Sequence, residues 1–303
     1  MAQYFTERLQ KVFHMIFKSY NQEMAQEGLR QLELIVNNQH SPEQPNHRAL
    51  RNDMTTSLEN EIDTKEDALK IANDPEAREI ADAYALLARI YAGPRFTWEE
   101  SNFPENNMRT YQCLHDSIRR CSPIGTLQAL RINGTITPTV EKDMLISFND
   151  AFRIVYDYAE KGDAFCQYII GNVFFWRDDD RISLARDMIT PPRLSLAKRI
   201  QQSLQKGSIQ ERLITLQGTI SNETLQENAT KLAKEWFNKA LDNGLAMFQG
   251  NLRNIYIDEG DFDNARRVAL RAAELGNPTM MLYTGLDCHE HGKFEDAFTW
   301  FTK

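Results

Sequence analysis

Residues 233–240 read Ala-Lys-Glu-Trp-Phe-Asn-Lys-Ala, and residues 297–303 read Ala-Phe-Thr-Trp-Phe-Thr-Lys. Both stretches belong to a repeat of 32 residues, because matching residues recur at that spacing: Gly244 and Gly276, Gly260 and Gly292, Phe262 and Phe294, Ala265 and Ala297, Ala240 and Ala272. A period of roughly 20 to 50 residues with helical spacing is typical of stacked helical hairpins. The repeat therefore predicts an all-α fold, an α-solenoid.

The repeat can be followed towards the N-terminus by using the glycine after the second helix of each hairpin as a register mark. Gly162 has the surroundings of Gly276, with a glycine nine residues later and an alanine eleven residues earlier. A glycine just past a helix end permits a left-handed turn, and small residues let two helices approach closely. The predicted marks are Glu79, Gly125, Gly162, Gly207, Gly244 and Gly276. Cys121 and Cys166 then occupy small-residue positions.

The pattern Ala-x-x-Trp-Phe-x-Lys-Ala, followed by a glycine and a second helix, resembles the Sel-one-like repeat family, short relatives of tetratricopeptide repeats. The stretch Gly-Asp-Phe-Asp-Asn-Ala from Gly260 is similar to a tetratricopeptide turn. The resemblance covers residues 64–303, with Arg253 and Glu79 standing where a glycine is usual. It implies a right-handed superhelix of antiparallel hairpins. Bacterial members often act as adaptors, and without a signal peptide this chain resembles either the cytoplasmic members or those delivered outside the cell.

The chain divides into an N-terminal helical segment, residues 1–63, and the repeats, residues 64–303. Apolar residues at three-and-four spacing, such as Leu9, Val12 and Phe13, predict helices over residues 1–39. We expect these helices to cap the first repeat, because one hairpin cannot bury its apolar face alone. Two stretches interrupt the period, near residues 95–108 and 178–206, and insertions of this kind often touch a partner.

The resemblance also implies where a partner binds. In tetratricopeptide-like hairpins the first helix lines the concave face, and the resemblance places inner-face positions three, six, ten and thirteen residues after each mark. Asn172 and Asn254 fall where tetratricopeptide families place an asparagine that bonds a peptide backbone, and an amide both donates and accepts. Alternatively, these asparagines are simply solvated and the aromatic residues pack between repeats. The predicted partner-binding residues are Arg89, Arg131, Phe165, Tyr168, Asn172, Phe175, Gln217, Met247 and Asn254.

Composition limits the class of partner and the cellular compartment that we expect. A net charge of −8 and a pI near 5.4 argue against nucleic acid as the main partner. The N-terminal residues lack the pattern of a signal peptide, and no apolar run is long enough to insert into a membrane. The four cysteines form no CxxC pair. We therefore expect a cytoplasmic protein that binds a protein or peptide.

Two clusters suggest chemistry at first sight. Cys288-His289-Glu290-His291 contains zinc-ligand types, but its spacing matches no metal motif, and we expect a solvated helix end. Asp178-Asp179-Asp180 contains oxygen ligands, and we expect a helix cap and a solvated loop. No nucleophile elbow, Walker loop or GxGxxG occurs, so the sequence predicts no enzyme, no metal and no cofactor. The alternative is a hydrolase whose site is assembled from Asp178–Asp180, His289 and His291.

The sequence stops at Lys303, one residue before the next expected alanine position. We expect either a truncated chain or a partner, such as a second copy, that covers Phe298, Trp300 and Phe301. A regulator that opens with a DNA-binding helix-turn-helix is a weaker alternative, because residues 1–62 hold no compact basic helix. The sequence therefore favours a non-catalytic scaffold or adaptor that binds a protein segment on a concave face.

Overall fold

The computed structural model describes residues 3–18, 22–37, 64–92, 106–132, 144–191, 198, 201–202, 204–205, 220–247 and 249–303. Within these ranges the chain is helical and contains no β-strand, which confirms the predicted all-α class for this part. The helices are α1 Glu7–Phe17, α2 Gln22–Asn37, α3 Lys65–Asn73, α4 Glu79–Tyr91, α5 Asn107–Arg119, α6 Pro123–Ile132, α7 Phe148–Glu160, α8 Ala164–Phe175, α9 Ser183–Ile189, α10 Asn222–Asp242, α11 Gly250–Asp258, α12 Phe262–Glu274, α13 Pro278–Glu290 and α14 Phe294–Phe301.

Polar side chains begin many of these helices. Ser147, Asp163 and Asn277 each accept a hydrogen bond from the backbone N–H three residues later. Such caps satisfy N–H groups that have no partner inside the helix. Each helix then packs mainly on its neighbours in sequence, and the pairs α4–α5, α8–α10 and α13–α14 are in the most extensive contact.

The turns between helices repeat one backbone geometry. At Gly162 the φ angle is +95°, the N–H of Gly162 donates to Ala159 O, and the N–H of Asp163 donates to Tyr158 O, each at 3.0 Å. This is the Schellman arrangement, in which a residue with positive φ ends a helix. The residues with the same geometry are Gly244, Gly260, Gly276 and Gly292. The predicted marks Gly162, Gly244 and Gly276 therefore lie in turns of one kind.

Two other predicted register marks, Gly125 and Glu79, do not lie in such turns, and these predictions are wrong. Gly125 lies inside α6, and the turn residue is Cys121, with a φ angle of +65° and the same pair of hydrogen bonds to Ile118 O and Ser117 O. Cys121 is therefore the turn residue and not an alanine substitute. Glu79 is the first residue of α4 and not part of the turn before it. Gly207 lies outside the described residues.

Close approach of paired helices depends on glycine. A Cβ atom on Gly171 of α8 would lie 2.6 Å from the ring of Phe237 in α10, and Gly285 of α13 is in the same relation to Phe301 of α14. Both glycines stand nine residues after a turn glycine, as the repeat predicts. In the pair α11–α12 the equivalent residues are Arg253 and Ala269.

The predicted segments are described in part. Helices α1 and α2 confirm helix within residues 1–39, whereas residues 38–63 lie outside the description. Of the first insertion, only residues 106–108 are described, and Asn107 already begins α5. The second begins with a 3-10 turn, Asp178–Asp180, and α9. No helix in the described ranges is both long and apolar enough to cross a membrane.

Candidate functional site

Two predicted inner-face residues of α8, Phe165 and Tyr168, are buried, and the beginning of the chain covers Phe165. Phe165 and Tyr168 are only 4% and 5% exposed. The ring centroid of Phe165 lies 5.7 Å from that of Phe5 and 4.8 Å from that of Phe13. Because these rings already pack on the same chain, the prediction of an aromatic shelf for a partner at Phe165 and Tyr168 is corrected. They form an internal contact.

Two further predicted binding residues are also interior. Arg89 of α4 is buried, its guanidinium donates to the Tyr168 hydroxyl at 3.0 Å, and it lies 5.7 Å from the ring centroid of Phe165. Met247, beyond the Gly244 turn, is buried as well. The Arg89 guanidinium and the Met247 side chain both contact other parts of the fold, so neither is accessible to a partner.

The segment before α1 is bound like a short peptide. The backbone N–H of Tyr4 donates to Asp163 Oδ2 at 3.0 Å, and the backbone O of Tyr4 accepts from Arg78 at 2.7 Å. Its ring is fully buried, with the Arg78 guanidinium 4.0 Å from the ring centroid. The Thr6 hydroxyl donates to Glu79 Oε1 at 2.6 Å. Side chains of the fold therefore recognise both the backbone and the aromatic ring of this segment.

The groups that hold Tyr4 belong to the starts of three helices. Arg78, Ser122 and Asp163 immediately precede α4, α6 and α8. Asp82 of α4 accepts from Arg78 at 3.0 Å, from the Ser122 hydroxyl at 2.6 Å and from the Tyr4 hydroxyl at 3.3 Å. The N-terminal ends of α4, α6 and α8 therefore lie side by side.

Burial dominates the electrostatics of this network. It raises the pKa of the Asp82 carboxyl to about 6, although hydrogen bonds from Ser122, Arg78 and Tyr4 and the charge of Arg78 oppose the shift. Burial also raises the pKa of the Cys166 thiol well above its ordinary value, which keeps the thiol protonated and weakly nucleophilic. The network suits a structural tie between helices.

The remaining predicted residues differ in exposure. Asn172 is half-buried, and its Oδ1 accepts from Asn251 Nδ2 at 3.2 Å, which joins α8 to α11. Phe175 is half-buried beside Phe237. Asn254 on α11 is exposed. Arg131 lies in the last turn of α6, with its side chain outside the description, and Gln217 lies outside the described residues. Asn254 is thus the predicted residue that is placed at the surface.

Helix α13 carries exposed apolar residues at the same predicted inner-face spacing as Asn254 of α11. Leu282 and Leu286 stand six and ten residues after Gly276, the inner-face spacing, and they are 51% and 44% exposed. Neither was among the predicted residues, although the same spacing rule identifies them. We use "α11–α13 face" for five residues at these positions, Asn254, Ile257, Leu282, Leu286 and His289.

A cation–π contact joins the two helices of this face. The Arg253 guanidinium lies 4.2 Å from the ring centroid of Tyr283, which places α11 beside α13. Exposed carboxylates of Asp258 and Glu290 end the two helices. The face thus combines leucine side chains, an amide and flanking charges, and such a surface can bind a peptide by apolar contact and hydrogen bonds.

Of the two clusters considered for chemistry, Asp178 and Asp179 are buried, whereas His289, Glu290 and His291 are exposed at the end of α13. Asp179 is buried and accepts from Arg177 at 2.8 Å and from Arg186 at 2.5 Å. His291 Nδ1 lies 2.7 Å from Asp287 O, and the His289 ring packs on Phe294. Among the described residues, no three His, Cys, Asp or Glu side chains are placed to hold a metal ion.

Comparison with known proteins yields no relative. No family model matches the chain, and no curated protein or solved structure is significantly similar to it. The likeness to Sel-one-like repeats therefore rests on the sequence pattern, and the function has to be argued from the surface of this chain.

Proposed function

We propose that this chain is a non-catalytic protein-binding scaffold, an α-solenoid of Sel-one-like or tetratricopeptide-like hairpins, and that it binds a partner segment on the α11–α13 face. Two features support the solenoid. One turn geometry recurs at Cys121, Gly162, Gly244 and Gly276. In addition, the starts of α4, α6 and α8 converge on Tyr4 and Asp82, as expected when the first helices of successive hairpins line up.

One observation carries the binding proposal. At the inner face of α8, Phe165 packs on Phe5 and Phe13 of the N-terminal segment, and Tyr168 is buried beside Phe165 and Phe237. On α13, Leu282 and Leu286 stand at the spacing of Tyr168 and Asn172, and both are exposed. Residues at the predicted inner-face spacing are thus buried or half-buried on α8 and exposed on α13. Neighbouring exposed leucines of this kind mark sites of protein interaction more often than isolated ones do.

The test is affinity purification of the tagged chain from its native cells. The variant Leu282→Asp, Leu286→Asp places two charges on the face without touching the buried core. The matched control is Leu34→Asp, Leu184→Asp, which changes two leucines of similar exposure on α2 and α9. We expect wild type and control to recover the same partner protein, and the Leu282, Leu286 variant to lose it.

The variant Asn254→Ala tests whether the Asn254 amide contributes to partner binding on the α11–α13 face. Asn172→Ala is its comparison, since the Asn172 amide already bonds Asn251 and its loss should act on stability first. Equal recovery of the partner by wild type and by the Leu282, Leu286 variant, at equal melting temperature, would remove the α11–α13 face from the proposal.

A further inference from the structure

Paired helices in the C-terminal half are closed by a recurring contact between a glycine and a phenylalanine. In α8–α10 the ring of Phe237 covers Gly171, and in α13–α14 the ring of Phe301 covers Gly285. Phe237 stands seven residues before the turn glycine Gly244, and Gly171 and Gly285 stand nine residues after a turn glycine. One aromatic ring therefore fills the space between the two helices of each pair.

The pair between them, α11–α12, lacks this ring. Nine residues after Gly244 stands Arg253 in place of glycine, and seven residues before Gly276 stands Ala269 in place of phenylalanine. Arg253 and Ala269 both line a groove of about 800 Å³ among α11, α12, α13 and α14. The aromatic ring is thus missing at the pair where the surface has an open groove.

The lining of the groove suits an aromatic side chain beside a carboxylate. Ala265 and Ala269 contribute small apolar walls, and Tyr283 and Trp300 contribute aromatic surface. Arg253 is half-buried, and its guanidinium lies on the Tyr283 ring. Within the described residues no carboxylate oxygen forms an ion pair with it. An arginine stacked on an aromatic ring keeps its N–H edge available for a carboxylate.

Two other basic side chains at the groove lie close to carboxylates. Arg266 lies 3.5 Å from Asp263 and 3.8 Å from Asp287, and His291 lies 3.7 Å from Asp287. Arg253, Arg267 and Lys293 line the groove without an ion pair among the described residues, and of these three Arg253 is half-buried while the other two are exposed. The groove also adjoins the α11–α13 face, because Ile257 belongs to both.

We propose that this groove binds an aromatic side chain of the partner segment, with Arg253 binding the carboxylate of an adjacent aspartate or glutamate in the same segment. The ring packs on the small side chains of Ala265 and Ala269 that line the groove. The inference rests on the proposed scaffold function and adds the chemistry of recognition: an aromatic residue next to an acidic one.

The test is an NMR titration of the full chain with three peptides. They are acetyl-Gly-Phe-Asp-Gly-amide, the same peptide with Ala for Phe, and the same peptide with Lys for Asp. We expect saturable shifts at Arg253 and Tyr283 with the first peptide, and on the order of tenfold weaker binding for the other two, since each lacks one anchor. Equal binding of all three, or no binding of the first, would overturn the proposal.

A second experiment fills the groove with a phenylalanine of the chain itself. The variant Arg253→Gly, Ala269→Phe recreates the glycine–phenylalanine contact of the neighbouring pairs, so we expect unchanged or higher stability and loss of peptide binding. Should that variant fail to fold, Arg253→Gln keeps the groove and removes the cation, and it should bind the Phe-Asp peptide about tenfold more weakly. Wild-type affinity in a folded variant of either kind would contradict the proposal.

The two proposals fail in different ways. Leu282→Asp, Leu286→Asp reports on the face, whereas Ala269 and Arg253 variants report on the groove. If the groove variants bind the native partner normally while the leucine variant loses it, the scaffold stands and the aromatic–acidic recognition is wrong. If every variant recovers the partner, both the face and the groove are wrong.

Discussion

The ring of Phe237 lies so close to Gly171 that a Cβ atom at Gly171 would be 2.6 Å from its Cδ1 and Cε1 atoms. This contact joins α8 to α10 across the second insertion of the sequence. Since the ring is fully buried, it has no free space into which it can withdraw. These two helices can therefore approach each other because Gly171 has no side chain.

Gly171→Ala should destabilise the fold by about 1–3 kcal/mol, because the added methyl group overfills a packed interior. Urea denaturation followed by circular dichroism measures the change. The control is Gly250→Ala in α11, where an added Cβ meets nothing within 4 Å and alanine favours helix. A Gly171→Ala protein as stable as Gly250→Ala would contradict the close approach.

A turn glycine offers a separate test of backbone geometry. Gly244 has a φ angle of +85°, and an added Cβ would meet no atom within 4 Å. Gly244→Ala should therefore cost about 1–2 kcal/mol through the left-handed conformation alone. Gly244→Asn should cost less, because asparagine tolerates this conformation. Equal stability of the wild type and both variants, measured by thermal unfolding, would show that the turn relaxes to a different geometry.

The sequence predicts the turns wherever glycine occupies them and fails where it does not. Gly162, Gly244 and Gly276 are predicted because a residue without a Cβ is the usual choice for positive φ. Cys121 adopts the same conformation with a side chain, so its turn carries no glycine in the sequence, and Gly125, four residues later, fits the spacing rule by coincidence.

The sequence predicts which residues belong to the candidate face, but not which of them are exposed. The resemblance to tetratricopeptide-like hairpins implies that Phe165, Tyr168 and Asn254 belong to one face, yet no local pattern shows that Phe5 and Phe13 cover Phe165. The bond between Tyr4 and Asp163 spans 159 residues, and pairings at that range depend on the whole fold. Leu282 and Leu286 follow from the same spacing rule once it is extended past Gly276.

Tyr4 is expected to hold the N-terminal segment in place. Tyr4→Ala should destabilise the fold by about 3–5 kcal/mol, because a fully buried ring is removed from contact with Arg78 and Tyr158. Tyr4→Phe removes only the hydroxyl bond to Asp82 and should cost about 1 kcal/mol. Amide hydrogen exchange in α1 should quicken in Tyr4→Ala and stay near wild type in Tyr4→Phe. Unchanged exchange in both variants would mean that α1 is held by its other contacts.

Asp82 should make stability depend on pH in an unusual direction. Burial raises the pKa of its carboxyl to about 6 from an ordinary value of 3.8. Between these values the folded chain binds a proton that the unfolded chain has released, so the stabilisation from that proton is complete below about pH 4. It is lost as the pH rises through 6. Asp150 and Asp179 act in the opposite sense, since their pKa values are lowered.

Comparison with Asp82→Asn isolates this contribution. The substitution removes the titrating group, while Asp150, Asp179 and the rest of the chain titrate in both proteins. The wild type should therefore lose stability relative to Asp82→Asn as the pH rises from about 4 to about 6, and the difference should level off above about pH 6. Urea unfolding at several pH values in this range measures the difference. A difference that stays constant, or that grows in favour of the wild type as the pH rises, would show that Arg78 holds Asp82 ionised throughout and that burial does not control its pKa.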